Sequence, residues 1–401
     1  MYVELALLAV FVFLYSAVAG GLEKTVISGP MVFTIAGLIL GPLALGWLQP
    51  ELDNRGLRVL ADLTLALVLF IDAANADLGV VKRGLVIPKR MLLFGLPLTI
   101  GLGFGVGLLL FDQLSIFTVA ILATMLAATD AALGKAVITN KAVPPRIREG
   151  LNVESGLNDG ICVPILFLFI ALALGTDTGG SSAGLAFKLV AQEVGIGLVV
   201  GLGLTAVGAR ILKFCWARGW ITEIWIQLPV VALSLACFAV AQTLHGSGYV
   251  AAFVGGLLFG SYPTSARHAL ILGAEGASET LALVTWVMFG AAVVGQSLGH
   301  FSWQVVLYAL LSLTVIRMLP MFISLTGSGE STTSKLFLGW FGPRGLASIV
   351  FAIIVLNSGV EGGGVLAMTV VCTVTLSIFA HGLTANPLAR RLGPRMESRK
   401  G

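Results

Sequence analysis

The feature that most constrains this chain is a series of long apolar segments joined by short polar connections. A helix needs about 20 mainly apolar residues to cross the hydrocarbon core of a bilayer, and about thirteen segments approach that length. The sequence therefore predicts an all-α polytopic membrane protein. The segments, numbered one to thirteen below, are 3–19, 29–48, 57–76, 91–111, 115–138, 150–174, 185–212, 222–243, 248–264, 270–297, 302–325, 335–357 and 364–386.

The composition excludes most other classes of protein. Only 11% of the residues are charged, whereas globular domains are about a quarter charged, so the chain cannot cover a water-facing surface. Residues 1–20 carry Glu4 and no basic start, which predicts a retained first helix rather than a signal peptide. The cysteines lack metal-ligand spacing. No connection is long enough to fold alone, so we expect no nucleotide-binding or nucleic-acid-binding module and no cofactor.

The distribution of lysine and arginine predicts the orientation in the membrane. With the N-terminus outside and the C-terminus in the cytoplasm, most basic residues fall on the cytoplasmic side, as the positive-inside rule requires. Only Arg55, Arg58 and Lys188 then lie outside. The basic residues on the cytoplasmic side include Lys82, Arg83, Lys89, Arg90, Lys141, Arg146, Arg148, Arg210, Lys213, Arg218, Arg390, Arg391, Arg395, Arg399 and Lys400.

Segment six carries a cluster of polar residues within the membrane. Asp159 lies nine residues after Gly150, at a depth of about 13–14 Å, close to the bilayer midplane. Ser155 shares its helix face, and Glu154 and Asn158 share the adjoining face, because residues four apart are neighbours on a helix. Ionisable residues at this depth are expensive and usually functional. The alternative for Glu154 is that it reaches the cytoplasmic interface, and for Asn158 that it only joins helices.

Segments five and twelve each contain a predicted break. Thr129 and Asp130 lie among alanines, with room for another backbone to cross, and they mark the break in segment five. The alternative there is a continuous helix with Asp130 in a static bond. In segment twelve, Pro343 removes a helix hydrogen bond and glycines flank the Pro-Arg pair. Arg344 then needs a carboxylate partner, for which Asp72, Glu154 and Asp130 are the candidates, or it neutralises half-helix ends in a structural role.

The two breaks occupy matching places in the two halves of the chain, segments one to six and segments eight to thirteen. The two halves enter the membrane from opposite sides. That arrangement is typical of secondary transporters with an inverted repeat, in which broken helices form the ion site.

Other polar residues rate lower as site candidates. We expect Arg317 to form a structural pair, and Asp62, Glu193, Glu275 and Glu279 to lie toward helix ends. The histidines fall near predicted interfaces and are minor candidates for pH sensing: they are His245, His268, His300 and His381.

Three motifs together resemble those of the monovalent cation/proton antiporter-1 family, and the NhaP-type sodium/proton antiporters are the most similar group. The motifs are ATD at 128–130, ESGLNDG at 154–160 and GWFGPRG at 339–345. The resemblance covers essentially the whole membrane domain. It implies about thirteen helices, a homodimer in the lipid membrane, and multi-pass insertion in the inner or plasma membrane of a prokaryote, with a role in sodium transport and pH homeostasis.

The resemblance also implies a division of the single membrane domain, residues 1–401. The core that carries the ions comprises 91–174 plus 302–386, and the dimer or scaffold part comprises 1–76 plus 185–297. Residues 387–401 form a short cytoplasmic tail. The core is expected to move against the scaffold during transport.

The same resemblance assigns roles to individual residues. Asp159 is implied as the main carboxylate for ion and proton, with Asp130 and Thr129 completing the site from the crossing helix. Glu154 and Ser155 match further site positions. The residues implied as Na⁺ ligands are thus Asp159, Asp130, Thr129, Ser155 and Glu154, and the supporting residues are Asn158 and a buried acid–arginine pair, Asp72 and Arg344.

These residues predict a non-enzymatic exchange of Na⁺, or Li⁺, for H⁺. Burial and a second carboxylate both favour protonation of a carboxyl group, so one carboxylate can hold either a proton or a cation. Alternating access then couples the two fluxes, and the resemblance implies electroneutral exchange. The alternatives are K⁺/H⁺ exchange on the same fold, a cation channel, which needs a continuous pore, and an intramembrane enzyme with Ser155 as nucleophile, for which no base is placed nearby.

Overall fold

The structure is a computed structural model that describes residues 2–22, 25–48, 54–76, 86–176, 182–262 and 267–397. These ranges contain helices and no strand, which confirms the prediction of an all-α protein. Lys82, Arg83, Arg399 and Lys400 of the predicted orientation lie outside the described residues.

The helices follow the predicted apolar segments along the chain. Two of them contain short π-helical turns, at Met91–Gly95 and Phe289–Val294, and a 3₁₀ turn at Trp225–Gln227 precedes the helix that begins at Pro229. The helices are α1 Tyr2–Leu22, α2 Gly29–Leu40, α3 Asn54–Asn75, α4 Val86–Leu110, α5 Ile116–Met125, α6 Ala131–Ile138, α7 Pro145–Thr176, α8 Ser182–Ala217, α9 Pro229–Thr243, α10 Gly248–Ser261, α11 Arg267–Ser297, α12 Trp303–Leu313, α13 Val315–Ser324, α14 Thr332–Trp340, α15 Leu346–Ser358 and α16 Gly363–Glu397.

Several helices are long and apolar enough to cross a bilayer. Eight meet both criteria within the described ranges, and four further apolar helices are shorter, at 10–17 residues. The short ones include α5 and α15, which are halves of predicted segments. The polytopic architecture is therefore confirmed, while the number of crossings stays a prediction.

Segments five and twelve are both broken, as the sequence predicts. Segment five divides into α5 and α6 around residues 126–130, and segment twelve divides into α14 and α15 around residues 341–345. Segment eleven is also interrupted, which the sequence analysis did not foresee. There the backbone of Thr314, with φ −113° and ψ −95°, leaves the helical region between α12 and α13.

The last helix is longer than the predicted segment thirteen. α16 continues from Gly363 to Glu397, so residues 387–397 of the predicted tail are helical and residues 398–401 lie outside the described part. Ala389 remains buried beyond the predicted end, which shows that apolar packing continues there.

Glycines set the distance between α3, α8 and α10. α3 runs parallel to α10, with Gly256 against the Phe70 carbonyl and Gly260 against the Ala74 carbonyl. On the other side of α10, Gly201 of α8 lies against the backbone of Ala251, where a Cβ atom would overlap it. Gly197, four residues earlier on α8, lies against the Ser247 carbonyl in the same way, because small residues let membrane helices meet backbone to backbone.

We expect Gly201→Ala to destabilise the protein, whereas Gly203→Ala on the same helix is neutral or slightly stabilising. The added methyl at residue 201 meets the Ala251 backbone, and at residue 203 it meets nothing within 4 Å. Overpacking of this kind costs about 1–3 kcal/mol, while alanine is the better helix former at an open position. Thermal unfolding of the purified variants in detergent measures the difference. Equal midpoints for the two variants would contradict this packing.

Candidate ion-binding site

The two broken helices meet at their breaks. The backbone N–H of Asp130 donates to the Pro343 carbonyl at 2.8 Å, and the Ser348 hydroxyl donates to the Met125 carbonyl at 2.8 Å. The sequence makes this approach feasible because Gly345 has no side chain: a Cβ there would overlap the Asp130 carboxylate. The structure therefore brings together two breaks that are more than 200 residues apart in the chain.

Asp130 caps two half-helices at once. Its Oδ1 accepts the backbone N–H of Leu133 at 3.0 Å, in the first turn of α6. Its Oδ2 accepts the N–H of Leu346 at 2.8 Å, the first residue of α15. Helix N-termini leave N–H groups without partners and carry partial positive charge, which a carboxylate stabilises. Asp130 is 6% exposed, so it supplies its negative charge from inside the protein.

The polar cluster of α7 lies directly against the first break. Glu154, Ser155, Asn158 and Asp159 are all at most 5% exposed. The contacts converge on Thr129. Its N–H donates to Asp159 Oδ1 at 3.1 Å, and its hydroxyl lies 3.1 Å from the Ser155 hydroxyl. The predicted ligand and support residues of segment six are thus joined to segment five by direct hydrogen bonds.

Asn158 links the hydroxyl of Thr129 to the carboxylate of Glu154. Its side-chain amide donates to Thr129 Oγ1 at 2.5 Å and to Glu154 Oε1 at 3.1 Å. The supporting role of Asn158 in transport stays a prediction of the resemblance.

Glu154 forms a buried ion pair with Arg317. The two guanidinium nitrogens Nη1 and Nη2 donate to the two carboxylate oxygens at 2.8 and 3.0 Å. Glu154 is fully buried, so the alternative in which it reaches the cytoplasmic interface is wrong. The expected structural pairing of Arg317 is observed. A carboxylate held by two charged hydrogen bonds has less capacity to coordinate a cation than one that faces a cavity.

Arg344 has different neighbours from those expected. Its Nη1 donates to the Gly342 carbonyl at 2.8 Å and its backbone N–H to the Ser377 hydroxyl at 2.7 Å. Among the described residues it forms an ion pair with neither Asp72 nor Glu154, which corrects the pairing implied by the resemblance. The reason is that both carboxylate oxygens of Glu154 already accept hydrogen bonds from Arg317, and that Asp72 lines a cavity.

A cavity of about 310 Å³ leads to the carboxylates. Asp159, Asp130 and Asp72 line it together with Lys135 and Thr139. Asp130 and Asp159 are buried whereas Lys135 and Thr139 are exposed, so the cavity connects the buried carboxylates to exposed residues. α3 approaches α7 closely here because Gly156 has no side chain: a Cβ there would lie 3.0 Å from the Asp72 carbonyl oxygen.

Two lining residues were rated low from the sequence. Glu275 and Glu279 of α11 line the cavity. Glu275 accepts a hydrogen bond from the Asn75 side chain at 2.8 Å, and Glu279 lies 3.7 Å from the Lys135 ammonium. Their spacing of four residues on one face of segment ten was the available signal. His381 was also misplaced: it is 1% exposed, because α16 packs it against the second break rather than at an interface.

We expect Arg317→Ala to destabilise the protein by about 3–5 kcal/mol, since it leaves the Glu154 carboxylate buried and uncompensated. The double variant Arg317→Met/Glu154→Gln removes both charges and should recover most of that loss. Thermal or denaturant unfolding of the purified protein measures both. Arg58→Ala is the matched control, because its pair with Asp62 is half exposed and such pairs contribute at most about 1 kcal/mol. Equal losses at Arg317 and Arg58 would contradict the buried pair.

Solved structures share this fold. The structure of the sodium proton antiporter MjNhaP1 from Methanocaldococcus jannaschii at pH 8 matches with a TM-score of 0.78 and 19% identity, over 96% of this chain and 98% of that one. An electron-microscopy structure of the same antiporter matches with a TM-score of 0.70 and 20% identity, over 100% of this chain and 96% of that one. At this identity the likeness concerns the fold.

Relatives with assigned activities are also distant in sequence. The K(+)/H(+) antiporter NhaP2 of Shewanella sp. (strain ANA-3) is 22% identical over 96% of this chain and 66% of its own length. The Na(+)/H(+) antiporter ApNhaP of Aphanothece halophytica is 24% identical over 90% of this chain and 70% of its own. The chain thus spans about two thirds of the length of the Shewanella relative.

The family described as "Sodium/hydrogen exchanger, transmembrane" matches residues 7–391, which is nearly the whole chain. The match includes both broken helices and the polar cluster of α7. The protein therefore belongs to the transmembrane sodium/hydrogen exchanger family.

Proposed function

We propose that this protein exchanges a monovalent cation for protons across the membrane, with Asp159 as the residue that alternates between the two. One observation carries the proposal: Asp159 and Asp130 line the same cavity, beside the point where the two broken helices meet. Competition for a buried carboxylate couples the two fluxes without any chemical reaction, since a protonated carboxyl group loses the charge that holds the cation.

The surroundings of Asp159 provide oxygen ligands for the cation. The carboxylates of Asp159 and Asp130 and the hydroxyls of Thr129 and Ser155 are hard oxygen donors, which alkali cations prefer. Thr129 fixes Asp159 Oδ1 through its N–H, leaving Oδ2 for a cation or a proton. Glu154 contributes to the site mainly by orienting Asn158 and Thr129, because its own oxygens are bound by Arg317.

Alternating access would move the core, 91–174 plus 302–386, against the scaffold, 1–76 plus 185–297. The cavity supports this division, because Asp130 and Asp159 of the core face Asp72 and Glu275 of the scaffold across it. In the predicted orientation, the C-terminus is cytoplasmic and the cavity faces the cytoplasm. The peripheral helix α1, which has no buried residue, lies in the scaffold part, where a second copy would form the proposed homodimer.

Na⁺ is the proposed substrate, with Li⁺ as a related one, and K⁺ is the second candidate. The relatives support both choices, since one is named a Na⁺/H⁺ and another a K⁺/H⁺ antiporter. The choice depends on cavity size and ligand number. A flux assay in proteoliposomes with Na⁺, Li⁺ and K⁺ at several pH values distinguishes them. A channel would instead give single-channel currents in a bilayer.

We expect Asp159→Asn and Asp130→Asn each to abolish cation-driven proton flux, because an amide cannot hold the exchanged proton or compensate the charge of the cation. The measurement is the pH change inside proteoliposomes after a cation gradient is imposed. Asp62→Asn is the matched control: Asp62 accepts a hydrogen bond from Tyr249 on α10, away from the cavity, and its variant should retain exchange. Full exchange by both site variants would refute this site.

Electroneutral exchange makes a separate prediction. If one cation is exchanged for one proton, the initial flux should not depend on an imposed membrane potential, because no net charge crosses. Proteoliposomes with a preset potential and the same cation gradient measure this. A flux that changes steeply with potential would require a different stoichiometry, while the site itself would remain tested by the Asp159 variant.

A further inference from the structure

α16 packs against the break between α14 and α15 and contacts its backbone through two side chains. A break in a membrane helix exposes backbone groups that lipid cannot satisfy. Here the Pro343 carbonyl accepts from Asp130, and the Gly342 carbonyl accepts from Arg344. The Trp340 carbonyl accepts the N–H of Gly342 and also lies against His381 of α16, while the N–H of Arg344 donates to Ser377 of the same helix.

These side chains are Ser377 and His381, which lie one turn apart. The Arg344 N–H donates to the Ser377 hydroxyl oxygen at 2.7 Å. His381 Nε2 lies 2.9 Å from the Trp340 carbonyl oxygen, and His381 Nδ1 lies 3.1 Å from the Ser377 hydroxyl oxygen. Both residues are at most 1% exposed, so water does not substitute for these bonds.

The Trp340 carbonyl can only accept, so His381 carries a proton on Nε2 and donates it there. His381 Nδ1 lies 3.1 Å from the hydroxyl oxygen of Ser377 and 3.1 Å from the backbone carbonyl oxygen of Ser377, which ties the two side chains together within one turn of α16. The Ser377 hydroxyl oxygen accepts the Arg344 N–H. Ser377 and His381 thus fix both ends of the break through one hydrogen-bonded unit.

The residues on either side of Arg344 form hydrogen bonds with Asp130 of the site. Leu346, two residues after Arg344, donates its N–H to Asp130 Oδ2, and Asp130 N–H donates to Pro343, one residue before Arg344. We propose that Ser377 and His381 are positioning residues for cation binding: they hold the break in the geometry that places Asp130 at the site, without contacting the cation.

This inference rests on the proposed exchange function and predicts a specific kinetic effect. Ser377→Ala and His381→Ala should raise the half-saturating cation concentration by about threefold to tenfold, the ratio that corresponds to one lost buried hydrogen bond. The maximal rate per folded transporter should stay within about twofold, because the residues that bind the ion and proton are unchanged. Ser377→Thr keeps the hydroxyl, and His381→Gln keeps an N–H near Nε2, so both should restore the half-saturating concentration.

The control is Thr373→Val on the same helix, one turn before Ser377. Its buried hydroxyl donates only to the Thr369 carbonyl of its own helix, so the variant loses a buried hydrogen bond without touching the break. It should lower the thermal midpoint about as much as Ser377→Ala does, while leaving cation half-saturation unchanged. Cation-driven proton flux in proteoliposomes, normalised to folded protein, gives both kinetic parameters.

The outcomes separate the two proposals. If the unmodified protein shows no cation-driven proton flux, the proposed function fails. If it exchanges cations but Ser377→Ala and Thr373→Val have equal half-saturating concentrations, the positioning role is refuted and the hydroxyl is only structural. If His381→Ala does not fold, the Ser377→Ala and Ser377→Thr pair decides the question alone.

Discussion

The site depends on the double hydrogen bonding of Asp130 to the starts of two half-helices. A helix that ends inside a bilayer exposes N–H groups and partial charge that lipid cannot solvate. Asp130 satisfies N–H groups of α6 and α15 with its two carboxylate oxygens, and its own N–H satisfies Pro343. Each broken helix thus stabilises the other. The same carboxylate stands on the cavity that reaches Asp159, so the interaction that permits the breaks also builds the site.

Two acids of α7 have different surroundings. The Glu154–Arg317 pair is closed and fully buried, and Glu154 also accepts a hydrogen bond from Asn158. Asp159 has one oxygen bound to Thr129 and lies on the cavity instead. This difference supports the proposal that Asp159, rather than Glu154, exchanges a proton for a cation.

Both helix breaks and the buried acid Asp159 could be predicted, because the sequence patterns that indicate them are local. Pro343 between glycines predicts a break whatever surrounds it, and Asp159 nine residues into a long apolar segment predicts a buried acid. The interruption at Thr314 was missed because no proline or glycine marks it. Glu275 and Glu279 were underrated because their position near a helix end does not reveal the cavity that α3 and α6 form beside them.

The sequence by itself determined the membrane class, the two breaks, and the cluster of Glu154, Ser155, Asn158 and Asp159, since hydropathy and backbone preference act over neighbouring residues. Only the tertiary structure decided the partners. Arg317 reaches Glu154 across 163 residues, and Leu346 reaches Asp130 across 216. From the sequence, either Arg317 or Arg344 could pair with Glu154. Which of the two arginines does so depends on how the helices cross. The hydrogen bonds from Arg317 to Glu154 form only in the folded protein, so no local sequence pattern predicts this pairing.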